Sequence, residues 1–417
     1  MGDQIETTIL RPDSASWSAD VDALREAVGA PDNVHLIPPH FLKATLPKIG
    51  GKIATISKGG EPVGAGFLFP RGDGPDGAGY TLRIHWKDQS AVSESDAENA
   101  AASLPEEIRL AGVTAYDPTA PLAMTGSSVL QDGDLTIEEP DAQGAEAVRW
   151  LQDEIWKPET DYLYPIDIHS PAFRPGTSLL ARVGGEPVAF LFGFYKLGGP
   201  KIPAQLAEEY RTDLRLESQL MGVLPAHRSR GLGFLLKKTQ ALLARKDGID
   251  VVNWTVDPLQ YGNAVLNFTK LRGVAFDHYP DYYAFRNALN QTAASRFNIT
   301  WLVWSPHVQA TLETGGGGRP VDLADRPRVR RVNQGPGFLI LTADDPEIAV
   351  EVPADWTAVQ GTSAALAREW REATDTLLQQ YIGADEGKYA VTDAARDGDR
   401  RYLLAKRVTP SLLATYL

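Results

Sequence analysis

The 417-residue chain contains no cysteine. Disulfides, thiolate zinc sites and iron–sulfur clusters are therefore excluded, and so is an acyl relay through a cysteine thioester. Histidine is scarce. The seven stand at 35, 40, 85, 169, 227, 278 and 307, with no H-x-x-x-H or other close pair, so no dedicated metal site is expected. No apolar run approaches the roughly 18 residues of a membrane span; the longest, residues 188–195, has the length of a core strand. The first residues, M-G-D-Q-I-E-T-T, carry neither a basic nor an apolar signal region, and a cytoplasmic protein is expected. Positive charge is in deficit, with 41 Lys and Arg against 54 Asp and Glu. The resulting net charge of −13 argues against nucleic acid as a partner.

Against this background one stretch stands out. Residues 228–233 read R-S-R-G-L-G. They follow an apolar run at 216–224, which Pro225 ends, and precede a helical pattern at 234–246. Leu232, Leu235, Leu236, Thr239, Leu242 and Leu243 recur at three- and four-residue steps, so one helix face is apolar. Gly248 marks the stop, and residues 249–256 read as a strand closed by Asp257-Pro258. A glycine turn opening a helix is an anion cradle. The first N–H groups of the helix lack partners, its dipole adds positive charge, and glycine lets a ligand approach the backbone. The turn is not a Walker loop, for no Gly-Lys-Ser/Thr follows. It is not a dinucleotide fingerprint either, because Leu236 stands where the third glycine belongs. Arg228, Arg230, Lys237, Lys238, Arg245 and Lys246 make residues 228–246 basic with no acid among them. An anionic ligand fits such a local field.

Val223-Leu224-Pro225, the R-S-R-G-L-G turn and the helix after it resemble the acyl-CoA-binding motif of the GNAT acyltransferase superfamily. Asn263-Ala264, Asn267-Phe268, Lys270-Leu271 and Gly273 resemble its next helix, and Asp281-Tyr282-Tyr283 with residues 295–301 resemble one branch of acetyltransferases in it. The likeness spans residues 134–417. It implies acetyl-CoA or coenzyme A as cofactor, held by Val223, Arg228, Ser229, Arg230, Gly231, Leu232, Gly233 and Asn263. It also implies an N-acyltransferase acting on a small-molecule amine by direct attack on the thioester. The alternatives are a non-catalytic CoA-binding module, or O-acyl transfer or decarboxylation on the same scaffold.

The chain also repeats itself. G-G-E-P-V stands at 59–63 and again at 184–188, each time between two strand-like runs. Helical patterns at 20–28 and 145–156 precede the two hairpins, and a helix at 97–111 with a strand at 112–117 parallels the later helix and strand. In the first copy the stretch K-D-Q-S-A-V-S-E-S-D-A-E-N replaces the cradle. The expected fold is α/β (α+β): tandem GNAT-like domains, each a mixed, strongly twisted sheet flanked by helices, plus a C-terminal α/β extension. The domains are a degenerate copy over 1–130, the acyl-CoA domain over 134–304, and the extension over 305–417, placed as completing the N-terminal sheet. Residues 364–381 read as a helix, and 338–342, 348–352, 389–392 and 401–406 as strands. The sequence leaves a homodimer open.

Acyl transfer to an amine needs a base for the amine, donors for the thioester carbonyl and an acid for the departing thiolate. Glu217, eleven residues before Arg228, is the candidate base, and strand alternation places it on one face with Gln219 and Met221. By resemblance the Val223 N–H polarises the carbonyl and Asn263 bonds the pantetheine arm. Many members carry a tyrosine where Phe268 stands here, which leaves Tyr283 as the candidate acid beside Tyr261, Tyr279 and Tyr282, or water in its place. Trp156, Asp167, His169 and Tyr195 are weaker candidates for lining an acceptor pocket.

Overall fold

The computed structural model describes residues 4–33, 35–71, 79–117, 126–156, 163–170, 173–198, 201–282, 294–316 and 318–417. Two compact units emerge. One comprises residues 1–198 and 213–247, the other 199–212 and 248–417. This division cuts through the span 134–304 rather than at its ends.

The first unit contains the repeat. Strands β1 (Ile5–Ile9), β2 (Lys52–Lys58), β3 (Glu61–Arg71), β4 (Gly79–Trp86) and β5 (Leu110–Tyr116) form a sheet in that order. Helix α1 (Trp17–Ala27) lies between β1 and β2 in the chain, and α2 (Glu94–Ala102) between β4 and β5. Strands β6 (Ser127–Asp132), β7 (Leu135–Glu139), β8 (Gly176–Val183), β9 (Glu186–Leu197) and β10 (Leu214–Val223) also pair in sequence order. Helix α3 (Ala142–Trp156) follows β7 and α4 (Leu232–Lys246) follows β10. From β1 to α2 and from β7 to α4 the order is the same: strand, helix, three antiparallel strands, helix. The two G-G-E-P turns agree in detail. Gly59 and Gly60 have φ of 60° and 86°, Gly184 and Gly185 59° and 89°. Positive φ at both central residues is the two-residue hairpin geometry that glycine serves. In each hairpin a register shift falls a few residues before the turn, at Ile56/Ser57 and at Ala181/Arg182.

The long apolar run of the sequence is β9, buried on both faces as such a run requires. Phe190, Phe192 and Phe194 face one core, while Ala189 and Leu191 face another that includes Leu232 and Leu236 of α4. The first of these cores joins the two copies. Phe41, Phe67 and Phe69 pack in it with the β9 phenylalanines, and the rings of Phe41 and Phe194 lie 4.9 Å apart. Within the same unit, Arg83 of β4 donates to Asp167 through Nε at 2.6 Å and Nη2 at 3.2 Å, both side chains being buried. Asp167, expected near an acceptor, is thus consumed by a structural ion pair.

In the second unit, β11 (Val251–Val256), β12 (Val274–Tyr279), β13 (Arg296–Leu302), β14 (Glu347–Val352), β15 (Tyr389–Asp397) and β16 (Arg400–Arg407) run in the order β14-β16-β15-β12-β13-β11. Helix α5 (Ala364–Tyr381) buries one face, with Ala367, Trp370, Ala373, Leu377 and Leu378. The extension does not complete the N-terminal sheet. It joins β12, where Ala275 pairs with Val391. The edge of β12 away from β13 accepts it, whereas among the described residues the five-stranded sheet takes no strand from beyond Tyr116.

Candidate functional site

The R-S-R-G-L-G turn forms as its residues dictate. Leu224 gives its N–H to Val188 O at 3.0 Å, Pro225–His227 make one 3-10 turn, and α4 starts at Leu232. Ser229 (φ 62°) and Gly231 (φ 83°) are both left-handed, which turns backbone N–H groups toward one side. Gly231 is the N-cap and no side chain caps the helix. A Cβ at Gly231 would meet nothing within 4 Å, so the space before the helix start is open and glycine is required by φ alone. Leu232 is buried against the second core and anchors the helix, contributing only its backbone to the turn. Ser229 and Arg230 are exposed. Arg228 bends back, its Nε donating to Val223 O at 3.2 Å, and so ties the turn to the end of β10. Gly233 lies in the first turn of α4. An open, uncapped helix N-terminus flanked by two arginines suits a diphosphate.

Strand β10 carries a bulge. Its register against β9 shifts between Ser218 and Leu220, so Gln219 is the extra residue. The expected shared face of Glu217, Gln219 and Met221 is therefore broken. Gln219 donates to the Tyr164 hydroxyl at 3.3 Å and Leu220 packs on the same aromatic core, while Met221 packs on the α4 side. Beyond the bulge alternation resumes. Because Leu224 N–H faces β9, the N–H groups of Val223 and Met221 face away from it.

Glu217 is buried and ion-paired, Lys196 Nζ lying 2.8 Å from its Oε2. Lys237 of α4 is also buried, its ammonium donating to Ser218 Oγ at 2.8 Å. Burial drives the Lys237 ammonium well below the ordinary lysine range, an effect the charge of Glu217 partly opposes. Lys237 is thus neither a solvated cation nor part of the turn. Sequence reasoning missed both lysine partners. The connection from Leu197 to Leu214 is too long for the β9–β10 register to be read from a turn.

The N-terminal repeat differs at the corresponding place. Its β4 and β5 pair directly as a parallel ladder, from Tyr80↔Leu110 to His85↔Tyr116. At the start of α2, the Asp96 carboxylate accepts from Ser93 N–H at 2.8 Å and from Ser93 Oγ at 3.0 Å. These bonds lower the Asp96 carboxyl, the Ser93 N–H first among the causes. The helix start of this copy is filled by its own carboxylate.

In the second unit, Asn263 is exposed in a short helix, Tyr261–Ala264, which continues as a wider turn over Val265–Lys270. Arg272 is left-handed (φ 58°), and a Cβ at Gly273 would lie 2.7 Å from Ile299, so the K-L-R-G close needs its glycine. Phe268 is fully buried, edge-on to Phe297. Tyr283 lies outside the described residues. Of the weaker candidates, Tyr195 donates to Asp247 at 2.7 Å, Trp156 packs against Phe190 and His169 lines a cavity. Among the described residues there is no cluster of three metal-ligating side chains, and no helix is long and apolar enough to cross a membrane.

No family model and no curated protein matches the chain. Solved GNAT acetyltransferases are among its structural neighbours. Naa50 of Arabidopsis thaliana, in complex with a CoA-containing bisubstrate analogue, is 14% identical over 40% of this chain and 97% of its own, with a TM-score of 0.30. Ard1 of Thermoplasma volcanium is 19% identical over 40% and 96%, with a TM-score of 0.29. A GNAT family acetyltransferase of Elizabethkingia anophelis, with acetyl-CoA bound, is 14% identical over 41% and 99%, with a TM-score of 0.30.

Proposed function

We propose that the chain is an acyl-CoA-dependent N-acyltransferase of the GNAT type, built as a tandem in which the N-terminal copy has lost its cofactor site. One observation carries this reading. The same strand-to-helix junction is open in one copy, with Gly231 as an uncapped left-handed N-cap, and closed by Asp96 in the other. Acetyl-CoA supplies an activated acyl carbon. The turn at 228–233 holds its diphosphate through backbone N–H groups with Arg230 beside them. The outward N–H of Val223 or Met221 receives the carbonyl oxygen, whose negative charge grows as an amine nitrogen bonds to the acyl carbon and the carbon–sulfur bond breaks. Glu217 takes the proton of the amine, with Lys196 fixing the carboxylate in place. Asn263 is assigned to the pantetheine arm by resemblance alone. The thiolate leaves with a proton from Tyr283 or from water.

A second reading, cofactor binding without turnover, is favoured by the buried Phe268, which cannot serve as an acid. Calorimetric titration separates these. Acetyl-CoA is expected to bind wild type, and Gly231→Asp is expected to bind at least tenfold more weakly, with a melting temperature lowered by the strain of a side chain at φ 83°. Equal binding by both proteins overturns the cradle. Glu217→Gln is expected to bind normally and to lose most thiol release with an amine panel. Full release would remove the base assignment, and no release from wild type would favour the second reading.

A further inference from the structure

Strand β5 lies at the edge of the N-terminal sheet. Its inner side runs parallel to β4, and after one register shift at its start the ladder is even from Thr81↔Gly112 to His85↔Tyr116. Among the described residues no strand pairs with its outer side. Such an edge presents a row of unpaired N–H and C=O groups, which proteins commonly blunt with a charge, a proline or a covering element. β5 reads L-A-G-V-T-A-Y and contains neither charge nor proline. Ala111 and Ala115 are exposed, and so is Val113, at 42%. Their side chains share one face of the strand.

The second unit contains a strand in the same place in the chain order. β11, like β5, follows three antiparallel strands and a helix, and both stretches end in Asp-Pro. One side of β11 carries β13 antiparallel, from Val251↔Leu302 to Val256↔Phe297. An antiparallel strand is therefore the kind of neighbour this position takes.

The charges at the ends of β5 select which strand. Arg109 precedes β5 and Asp117 follows it. When two identical strands run antiparallel, the Arg109 end of each meets the Asp117 end of the other, and the uncharged middles meet near Val113. Glu106 and Glu107 stand in the turn before Arg109, outside the strand. Arg71 reaches β5 at Gly112, on the face opposite Val113. The Val113 face thus meets its own copy without like charges opposed.

We propose that two copies of the chain pair antiparallel through the outer edges of β5, with Arg109 of each beside Asp117 of the other, and so join their N-terminal sheets across a two-fold axis. A two-fold contact of this kind closes at two copies. The proposal goes beyond acyl transfer and stands without it. A pair of seven-residue strands is small beside the roughly 1,200–2,000 Å² of stable interfaces, so the dimer is expected to dissociate on dilution.

Sedimentation velocity over a dilution series tests the pairing. Wild type is expected to pass from dimer to monomer as it is diluted. Val113→Lys places two ammonium groups near each other across the axis and is expected to raise the dissociation constant at least tenfold. Its melting temperature when dilute should match that of wild type, because the site is exposed. Arg109→Asp and Asp117→Arg should each weaken self-association at least tenfold, since like charges then meet at both ends. An equimolar mixture of those two variants should dimerise as wild type does, because one chain then carries only acids at these positions and the other only bases. Recovery in the mixture cannot come from misfolded chains. The pairing is overturned if wild type stays monomeric at every concentration, which would assign the edge to a strand from another protein. It is equally overturned if assembly continues beyond two copies, if Val113→Lys dimerises unchanged, or if the mixture stays monomeric.

Discussion

Lys237 sits in an environment that departs from what its type suggests. In the sequence it belongs to a basic run after a glycine turn. In the fold it is buried between α4 and the bulge of β10, with Ser218 as its hydrogen-bond acceptor. Burial lowers its folded-state pKa, while the unfolded ammonium titrates near 10.4. The unfolded chain therefore binds more protons over the window between the two values, and stability rises with pH there. Lys237→Met keeps the length of the side chain and removes the charge. It should melt several degrees above wild type at pH 7, and the gap should close as pH passes about 10.4, where lysine is neutral in both states. The lost bond to Ser218 subtracts only about 1 kcal/mol and does so at every pH. Thermal melts between pH 6 and pH 11 check this; a gap independent of pH would show that the ammonium is solvated.

Helix starts carry the comparison between the copies. In α2 the Ser93–Asp96 pair occupies the N-terminus, and in α4 glycine leaves it empty. Asp96→Ala should cost about 1 kcal/mol, the usual value of a cap. The Asp96 pKa is lowered on folding, so this stability is complete above the unfolded value of about 3.9 and disappears as pH falls through the folded one. Urea midpoints of wild type and variant should therefore differ at pH 7 and converge in acid. Elements of this kind were legible in sequence because their signals are local. The cradle, both G-G-E-P hairpins and Ala364–Tyr381 declare themselves by turn residues or by period. The helix expected over 97–111 ends instead at Ala102, because Pro105 breaks the pattern and Leu110–Tyr116 becomes a strand. The strand expected over 338–342 shrinks to a two-residue ladder, since Phe338 is exposed and has no core to face. The bulge at Gln219 and the Lys196–Glu217 pair left no mark, because both depend on a register set between segments distant in the chain.

At the scale of the molecule, the N-terminal repeat contributes packing to the first unit. Its Phe41, Phe67 and Phe69 complete the core that covers one face of β9, and its Arg83 neutralises Asp167. The Arg83 guanidinium also lies 4.5 Å from the centre of the Tyr116 ring. Such a buried pair contributes little compared with an apolar replacement, but breaking it from one side is costly, because the abandoned carboxylate stays out of water. Arg83→Met should therefore destabilise by about 3–5 kcal/mol. Arg83→Met combined with Asp167→Leu should recover most of that loss, since two apolar side chains then fill the same space. The cradle is built on β10 and α4, so the double variant should bind acetyl-CoA as wild type does. Denaturant midpoints on the two proteins, with calorimetry on the double variant, test the idea. A single variant that loses less than about 1 kcal/mol would mean that water reaches Asp167 and that the copies are held by their aromatic core alone.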